Sequence, residues 1–298
     1  MTAIPLDERE GFIFYNDKFI PWKEAKIHVL SHGLHYGSSC FEGVRIYNGK
    51  IFKNLEHAER LLFSASCMDF TNFVSPFTAK EIADICDETC KKNNILNGYI
   101  RPIFWRGSEQ LQVSAPDTKI NFVVAAWSWP NYSEAKKKEG LKLLIGLYKR
   151  PSHESGPVFA KVGGLYVSPT LIKHDAEKQG FDDCLMLDYR NYIAECSTSN
   201  FFAVFGNEIH TPIPDCFLNG ITRQTVVELA KKLGYKVVER HIELQELANA
   251  TDAFSTGTAS EITRVASVTL RDLNAKYEFK ESSVSIHLLE EYKKLVML

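Results

Sequence analysis

The stretch Ser128 to Gly140 sets the first limit on what this chain can fold into. It is polar, holds Pro130 and the run Lys136 to Lys138, and parts two regions rich in strand-forming residues. We therefore expect a mixed α+β chain in two domains: a small N-terminal α+β domain at residues 1–128, a linker at 129–140, and a larger C-terminal domain at 141–298. With 298 residues the chain is long enough to enclose a site and too long for a lone binding module.

Local patterns fill in both domains. Phe12 to Tyr15 and Phe19 to Trp22 flank an Asn16-Asp17 turn, and Cys40 to Tyr47 meets Lys50 to Phe52 through Asn48-Gly49, so each pair predicts a hairpin. Asn54 is placed to cap a helix reaching Met68, with Leu55, Ala58, Leu62 and Ala65 at helical spacing, and a second helix is expected over Ala79 to Lys92. Tyr99 to Trp105 and Ile120 to Trp127 are β-branched and aromatic runs that read as strands. In the second domain we expect strands at Leu141 to Tyr148, Cys184 to Asp188, Phe201 to Phe205 and Tyr235 to Glu239, with an apolar run at Ala253 to Ser255. Helices are expected at Gly164 to Gln179, Thr222 to Leu233 and Ser285 to Val296. No regular βαβ alternation occurs, and neither G-x-G-x-x-G nor the P-loop pattern is present, which removes the two commonest nucleotide signatures.

Composition narrows the function. The 35 basic and 37 acidic residues nearly cancel, to a net charge of −2, and neither end concentrates one sign, which argues against nucleic acid or an anionic membrane as partner. A small-molecule enzyme becomes the default. The 7 cysteines (Cys40, Cys67, Cys86, Cys90, Cys184, Cys196, Cys216) are odd in number and form no C-x-x-C pair, so we expect free thiols in a reducing compartment and no metal site. No run approaches the roughly 18 apolar residues of a membrane span, and the first thirty residues carry charges throughout. The expected location is the cytoplasm.

Three constellations are able to carry chemistry. In Ala160-Lys161-Val162-Gly163-Gly164-Leu165-Tyr166, a lysine among small and apolar residues suits a desolvated amine nucleophile for carbonyl carbons, although a solvated charge beside a Gly-Gly turn has the same pattern. In Glu195-Cys196-Ser197-Thr198-Ser199-Asn200-Phe201-Phe202, an acid among small polar residues suits either a carboxylate buried against a cationic partner or an ordinary polar turn. Asn219-Gly220-Ile221-Thr222, opening a helix, and Thr256-Gly257-Thr258-Ala259-Ser260 offer amides and hydroxyls to an anion, and equally suit an N-cap and a turn. Arg60 and Arg101 alone would be surface charges.

Their conjunction is informative. Glu195, Ser197, Asn200, Phe201, Phe202, Ile209, Thr211, Leu218, Gly220, Ile221 and Arg223 together match the long signature of class IV pyridoxal-phosphate aminotransferases. The chain also resembles the branched-chain amino acid aminotransferases of that class in Ser31-His32-Gly33-Leu34-His35-Tyr36-Gly37, Phe41-Glu42-Gly43, Glu56 to Leu61, Tyr99-Ile100-Arg101-Pro102, Ala160 to Tyr166 and Gly257 to Ile262. The resemblance runs from Phe12 to Val268.

It implies a two-domain fold-type-IV enzyme of D-amino acid aminotransferase-like fold, with pyridoxal 5′-phosphate at the domain interface and the larger C-terminal domain binding it. Lys161 resembles the lysine that holds the cofactor as an internal aldimine and then shuttles the proton between Cα and the cofactor's C4′. Glu195 resembles the partner of the pyridine nitrogen, and Tyr166 that of the phenolic oxygen. Arg60, the amides of Ile221 and Thr222, and Thr258 would hold the phosphate. Tyr99 and the Thr258-Ala259 turn would bind the α-carboxylate. Arg101 with Tyr36 would receive the far carboxylate of glutamate, and Phe41, Trp129 and Tyr132 would wall the side-chain pocket.

The resemblance thus implies branched-chain amino acid biosynthesis: an amino group passes from leucine, isoleucine or valine to 2-oxoglutarate, in a homodimer or higher homo-oligomer. One segment departs from the family, Leu111-Gln112-Val113, where a glycine is usual in the middle position. D-amino acid and (R)-amine transaminases and 4-amino-4-deoxychorismate lyase share the cofactor residues and are the rivals on the same fold. A non-catalytic binding protein would not need Lys161, Glu195 and Arg60 together.

Overall fold

The computed structural model describes residues 4–70, 77–129, 139–272, 274–280 and 283–297. The chain divides into two units, one of Met1–Pro130 with Ala160–Gly164, the other of Asn131–Phe159 with Leu165–Leu298. Of residues 129–140, only Trp129, Glu139 and Gly140 are among the described ones, and Tyr132 lies outside them.

The first unit is an antiparallel sheet with three helices. Its strands are β1 (Phe12–Tyr15), β2 (Lys18–Pro21), β3 (Ser39–Phe41), β4 (Val44–Tyr47), β5 (Lys50–Ile51), β6 (Gly98–Arg106) and β7 (Ile120–Ser128), in the order β2-β1-β7-β6-β4-β5, with β3 also on β6. Both expected hairpins form, and Asn16 (φ 58°), Asn48 (φ 48°) and Gly49 (φ 81°) take the left-handed conformation that two-residue turns need.

The expected strand Cys40 to Tyr47 is instead two strands on one register, because Phe41 faces Ile103 and Val44 faces Ile100. The interruption falls where Glu42 meets Pro102. Glu42 donates its N–H to the Pro102 carbonyl at 2.9 Å, and proline has no N–H to return.

The helices are α1 (His32–Tyr36), α2 (Asn54–Cys67) and α3 (Ala79–Lys92), the last started by a Thr78/Glu81 capping box. Asn54 does not cap α2. Lys53 is the N-cap, and the Asn54 side chain donates to the Ala83 carbonyl at 2.9 Å, fastening α2 to α3. The inward stripe of α2 also differs from expectation: His57, Ala58, Leu61, Ser64 and Ala65 are buried while Leu55 is exposed. Two polar side chains take inward positions because Glu42 partners His57 and the Lys161 N–H partners Ser64.

The second unit holds β8 (Leu141–Ile145), β9 (Asp183–Leu187), β10 (Ile193–Cys196), β11 (Asn200–Phe205), β12 (Glu208–Thr211), β13 (Lys236–Glu239), β14 (Asp252–Gly257), β15 (Glu261–Thr269) and β16 (Lys276–Glu278). Strand β10 pairs with both β9 and β11, so β10-β9-β8-β15-β14-β11 close on themselves. Alternation sorts the side chains of these strands. Leu143, Leu185, Phe201 and Val265 fill one core, whereas Leu144, Cys184 and Met186 face Ile172 and Ala176 of the helix α4 (Val167–Lys178).

Helices α5 (Ile221–Lys232) and α6 (Ser283–Met297) complete the unit. The helix expected from Gly164 begins as a 3₁₀ turn over Gly163–Tyr166, and the strand expected to reach Tyr148 ends at Ile145. Among the described residues no helix is long and apolar enough to cross a membrane.

Candidate active site

In the first unit the site is built around Lys161. Its N–H donates to Ser64 Oγ at 2.9 Å and its carbonyl accepts from the Phe41 N–H at 3.0 Å, while Cys40 and Val162 form a bridge. Ser64 in turn donates to the Arg60 carbonyl at 2.9 Å, so one helix face carries both Arg60 and the anchor of Lys161. The glycines beside the lysine answer to close approach. A Cβ on Gly163 would stand 2.4 Å from Ser39 Oγ, and one on Gly37 (φ +67°) 3.0 Å from Gly164 Cα.

The Lys161 amine lies 4.8 Å from the centre of the Phe41 ring, and the Arg101 guanidinium 4.6 Å from the same centre. Arg101 also donates to the Tyr99 hydroxyl at 3.4 Å, and Tyr99 packs against Trp127 and Trp129 at 5.4 and 4.8 Å between ring centres. The fold thus brings Lys161, Phe41, Tyr99, Arg101 and Trp129 together. Tyr36 stands half exposed on α1 with His32 and His35 as ring neighbours, and no hydrogen bond joins it to Arg101.

Arg60 is held by Glu42, a fully buried acid whose Oε1 and Oε2 accept from Nε at 2.6 Å and Nη2 at 2.9 Å. His57, also buried, adds a contact to Oε2 at 2.6 Å. Burial alone would raise the Glu42 carboxyl, but the Arg60 guanidinium and His57 outweigh it and hold it well below the usual carboxylate range. Burial pushes His57 down, so its imidazole is neutral and donates through Nδ1.

In the second unit Glu195, on β10, faces Asn200 across the hairpin. Its Oε2 accepts from Asn200 Nδ2 at 3.2 Å, and Arg150 Nε approaches Oε1 at 3.5 Å. Asn200 also accepts from the Gly220 N–H at 3.2 Å and donates to the Leu218 carbonyl at 3.0 Å, tying the acid to the start of α5. A Cβ on Gly220 would stand 2.2 Å from Asn200 Oδ1, so this contact requires glycine. Ile221 and Thr222 are buried in the first turn of α5. Thr258 and Ala259 lie half-buried in the turn joining β14 to β15, and Tyr166 is half-buried at the start of α4.

Arg223, the end of the signature, is structural. It is buried and hydrogen-bonds Thr211, Pro212, Asn219 and Glu239. Sequence reasoning passed over Ser64 and Arg150 and gave Glu42 and His57, both inside motifs of the resemblance, no role.

Residues 39–268 match the profile of the family described as amino-transferase class IV. The chain belongs to the class IV aminotransferases. This aminotransferase is 40% identical over 296 residues to a probable branched-chain-amino-acid aminotransferase of Rickettsia felis, covering 99% of each chain. It superposes on a T.th. branched-chain amino acid aminotransferase with pyridoxamine 5′-phosphate at a TM-score of 0.89 and 35% identity, over 97% of this chain and 95% of the other. The same T.th. enzyme complexed with N-(5′-phosphopyridoxyl)-L-glutamate gives 0.87 at 35% identity, with the same coverage.

The cofactor of such an aminotransferase is pyridoxal 5′-phosphate, and the residues present fit it. In the first unit the amine of a lysine whose backbone is anchored, and in the second a buried carboxylate and a helix start with buried Ile221 and Thr222, are groups of the kinds that an aldehyde, a pyridinium nitrogen and a phosphate require. Arg101 Nε in the first unit, and Ser197 Oγ and Thr256 Oγ1 in the second, are buried with no hydrogen-bond partner, and such donors suit an anionic ligand.

Proposed function

We propose that this aminotransferase moves the amino group of L-leucine, L-isoleucine or L-valine to 2-oxoglutarate, with Lys161 as the catalytic residue. One arrangement carries the reading: the Lys161 amine and the Arg101 guanidinium both lie within 5 Å of the Phe41 ring centre. That places a nucleophile, an apolar wall and a cation for a second carboxylate in one unit. The names of the relatives and the glutamate adduct of the T.th. enzyme support the same pair of substrates.

When bound, the cofactor supplies a carbonyl carbon for the amino group and a ring that accepts electrons from Cα. Lys161 would hold the cofactor through Nζ until the substrate amine displaces it, and the freed amine would carry the proton from Cα to the cofactor's C4′. Glu195, kept in place by Asn200, stabilises the protonated ring nitrogen, and Tyr166 hydrogen-bonds the phenolic oxygen. Arg60, the amides of Ile221 and Thr222, and Thr258 hold the phosphate. Tyr99 and the amides at Thr258-Ala259 orient the α-carboxylate. Arg101 with Tyr36 receives the distal carboxylate of glutamate, while Phe41 and Trp129 exclude water around a branched side chain.

We place the working form in the cytoplasm as a homodimer or higher homo-oligomer of two-domain chains, domains 1–128 and 141–298. Exposed apolar residues support self-association. His32 donates through Nε2 to the Gln112 carbonyl at 3.0 Å, joining α1 to the 111–113 segment, and Val29, Leu34 and Val113 near this junction are 73%, 60% and 80% exposed.

Spectra and a donor panel test the assignment. The purified protein should be yellow, borohydride should fix the cofactor on Lys161, and Lys161→Ala should abolish turnover with L-leucine while retaining some cofactor. A colourless protein, an active variant, or a preference for D-alanine or an (R)-amine would overturn it.

A further inference from the structure

Glu42 and His57 are buried ionisable groups with no part in the chemistry above. Glu42 stands at the break between β3 and β4, on the sheet face that α2 covers, where an apolar side chain would pack without desolvating a charge. Replacing a buried ion pair by apolar residues is often neutral or stabilising, so stability is a poor reason for such a group. Its contacts suggest another. The carboxylate grips the Nε and Nη2 edge of Arg60, takes a third bond from His57 Nδ1 at 2.6 Å, and accepts from the Gly43 N–H at 3.2 Å. A guanidinium is planar, so fixing two of its nitrogens fixes the direction of every N–H it carries.

We propose that Glu42 is a positioning residue for phosphate recognition, setting the plane of the Arg60 guanidinium, with His57 fixing the carboxylate in turn. This inference rests on the reading of Arg60 as a phosphate ligand. Its motif, Phe41-Glu42-Gly43, then divides three tasks: Phe41 faces the amine, Glu42 sets Arg60, and Gly43 makes room for Tyr99.

Two probes that differ only in the phosphate test it: pyridoxal 5′-phosphate and pyridoxal, titrated into the full chain freed of cofactor, with binding read by absorbance. Wild-type protein should prefer the phosphorylated form strongly. Arg60→Gln should cut that preference at least tenfold, and Glu42→Gln by roughly tenfold, the scale of one misplaced charge-assisted hydrogen bond. Pyridoxal itself should bind Glu42→Gln within about twofold of wild type, and adding Glu42→Gln to Arg60→Gln should cost no further preference, since the two residues act through one contact. Glu42→Asp keeps the buried charge and withdraws it by one methylene, so it should fold and still lose several-fold of the preference.

Equal weakening of both probes in the Glu42 variants would make the residue merely structural and overturn the inference. So would a full preference in Glu42→Asp, or losses that add in the double variant. If wild type shows no preference, or Arg60→Gln keeps it, the phosphate reading of Arg60 fails and takes the Glu42 inference with it.

Discussion

Gly43 lies against the hydroxyl of Tyr99: a methyl carbon built on its Cα would stand 1.7 Å from that oxygen. The tyrosine is packed against two tryptophans and bonded to Arg101, so the small residue in the break between β3 and β4 decides where the hydroxyl stands. Gly43→Ala must displace Tyr99 from the position assigned to the α-carboxylate. A misplacement of about 1 Å in a positioning group can cost on the order of 100-fold, and we expect that loss in kcat/KM for L-leucine. Steady-state kinetics check it, and an unchanged value would remove Tyr99 from the substrate set.

Acid stability should report the buried Glu42–His57–Arg60 group. Glu42 is held below the ordinary carboxylate range and His57 below the ordinary imidazole range, so the folded protein binds fewer protons than the unfolded chain. Both contributions are complete above their unfolded values, about 6.5 for histidine and about 4.3 for glutamate, and are lost as pH falls below them. Urea midpoints should therefore drop from pH 7 to pH 4 and more steeply below. Glu42→Gln should be less stable at neutral pH yet show a flatter curve below about pH 5. A parallel curve would mean that Glu42 does not titrate with unfolding.

How much of this was legible in the sequence depended on where the information resides. The Glu195 to Arg223 stretch was readable through its resemblance to the class IV signature, whose fixed residues follow one another along three consecutive strands and one helix start. Helix α2 was readable as a helix but not in its orientation. Counting apolar residues put Leu55 inward, whereas His57 and Ser64 are drawn in by Glu42 and the Lys161 amide, partners distant in sequence. Strand β15 was invisible, since Glu261–Thr269 mixes charged and hydroxyl residues with valines, and its burial comes from pairing on both sides with β14 and β8. Arg150 gave no signal, because nothing local distinguishes an arginine that reaches Glu195 from one on the surface.

The exposed apolar residues of the first unit predict self-association. His32 holds the 111–113 segment by its backbone, so Val113 is presented outward whatever residue stands at Gln112. Val113→Asp together with Leu34→Asp should weaken a homodimer at least tenfold by placing charges in an apolar contact, as sedimentation would show. If the mass in solution does not change, the dimer uses another face.

In the proposed reaction, substrate choice turns on Arg101. One site has to accept an apolar side chain in one half-reaction and a second carboxylate in the other, so it needs a cation that apolar substrates leave unused. Arg101 meets that need: its guanidinium lies on the Phe41 ring, its position opposite Ala125 in the β6–β7 pairing places a small neighbour beside it, and its buried Nε has no hydrogen-bond partner. Arg101→Leu keeps the bulk and removes the fork, which leaves the distal carboxylate of 2-oxoglutarate unpaired. Losing a charge-assisted hydrogen bond of about 1.5 to 3 kcal/mol raises KM for 2-oxoglutarate by roughly tenfold or more. The half-reaction with L-leucine, which places no charge there, should change much less. Measured side by side, the two half-reactions separate the roles: a selective loss with 2-oxoglutarate assigns Arg101 to the distal carboxylate, while an equal loss with both substrates assigns it to the α-carboxylate or to the packing of Tyr99.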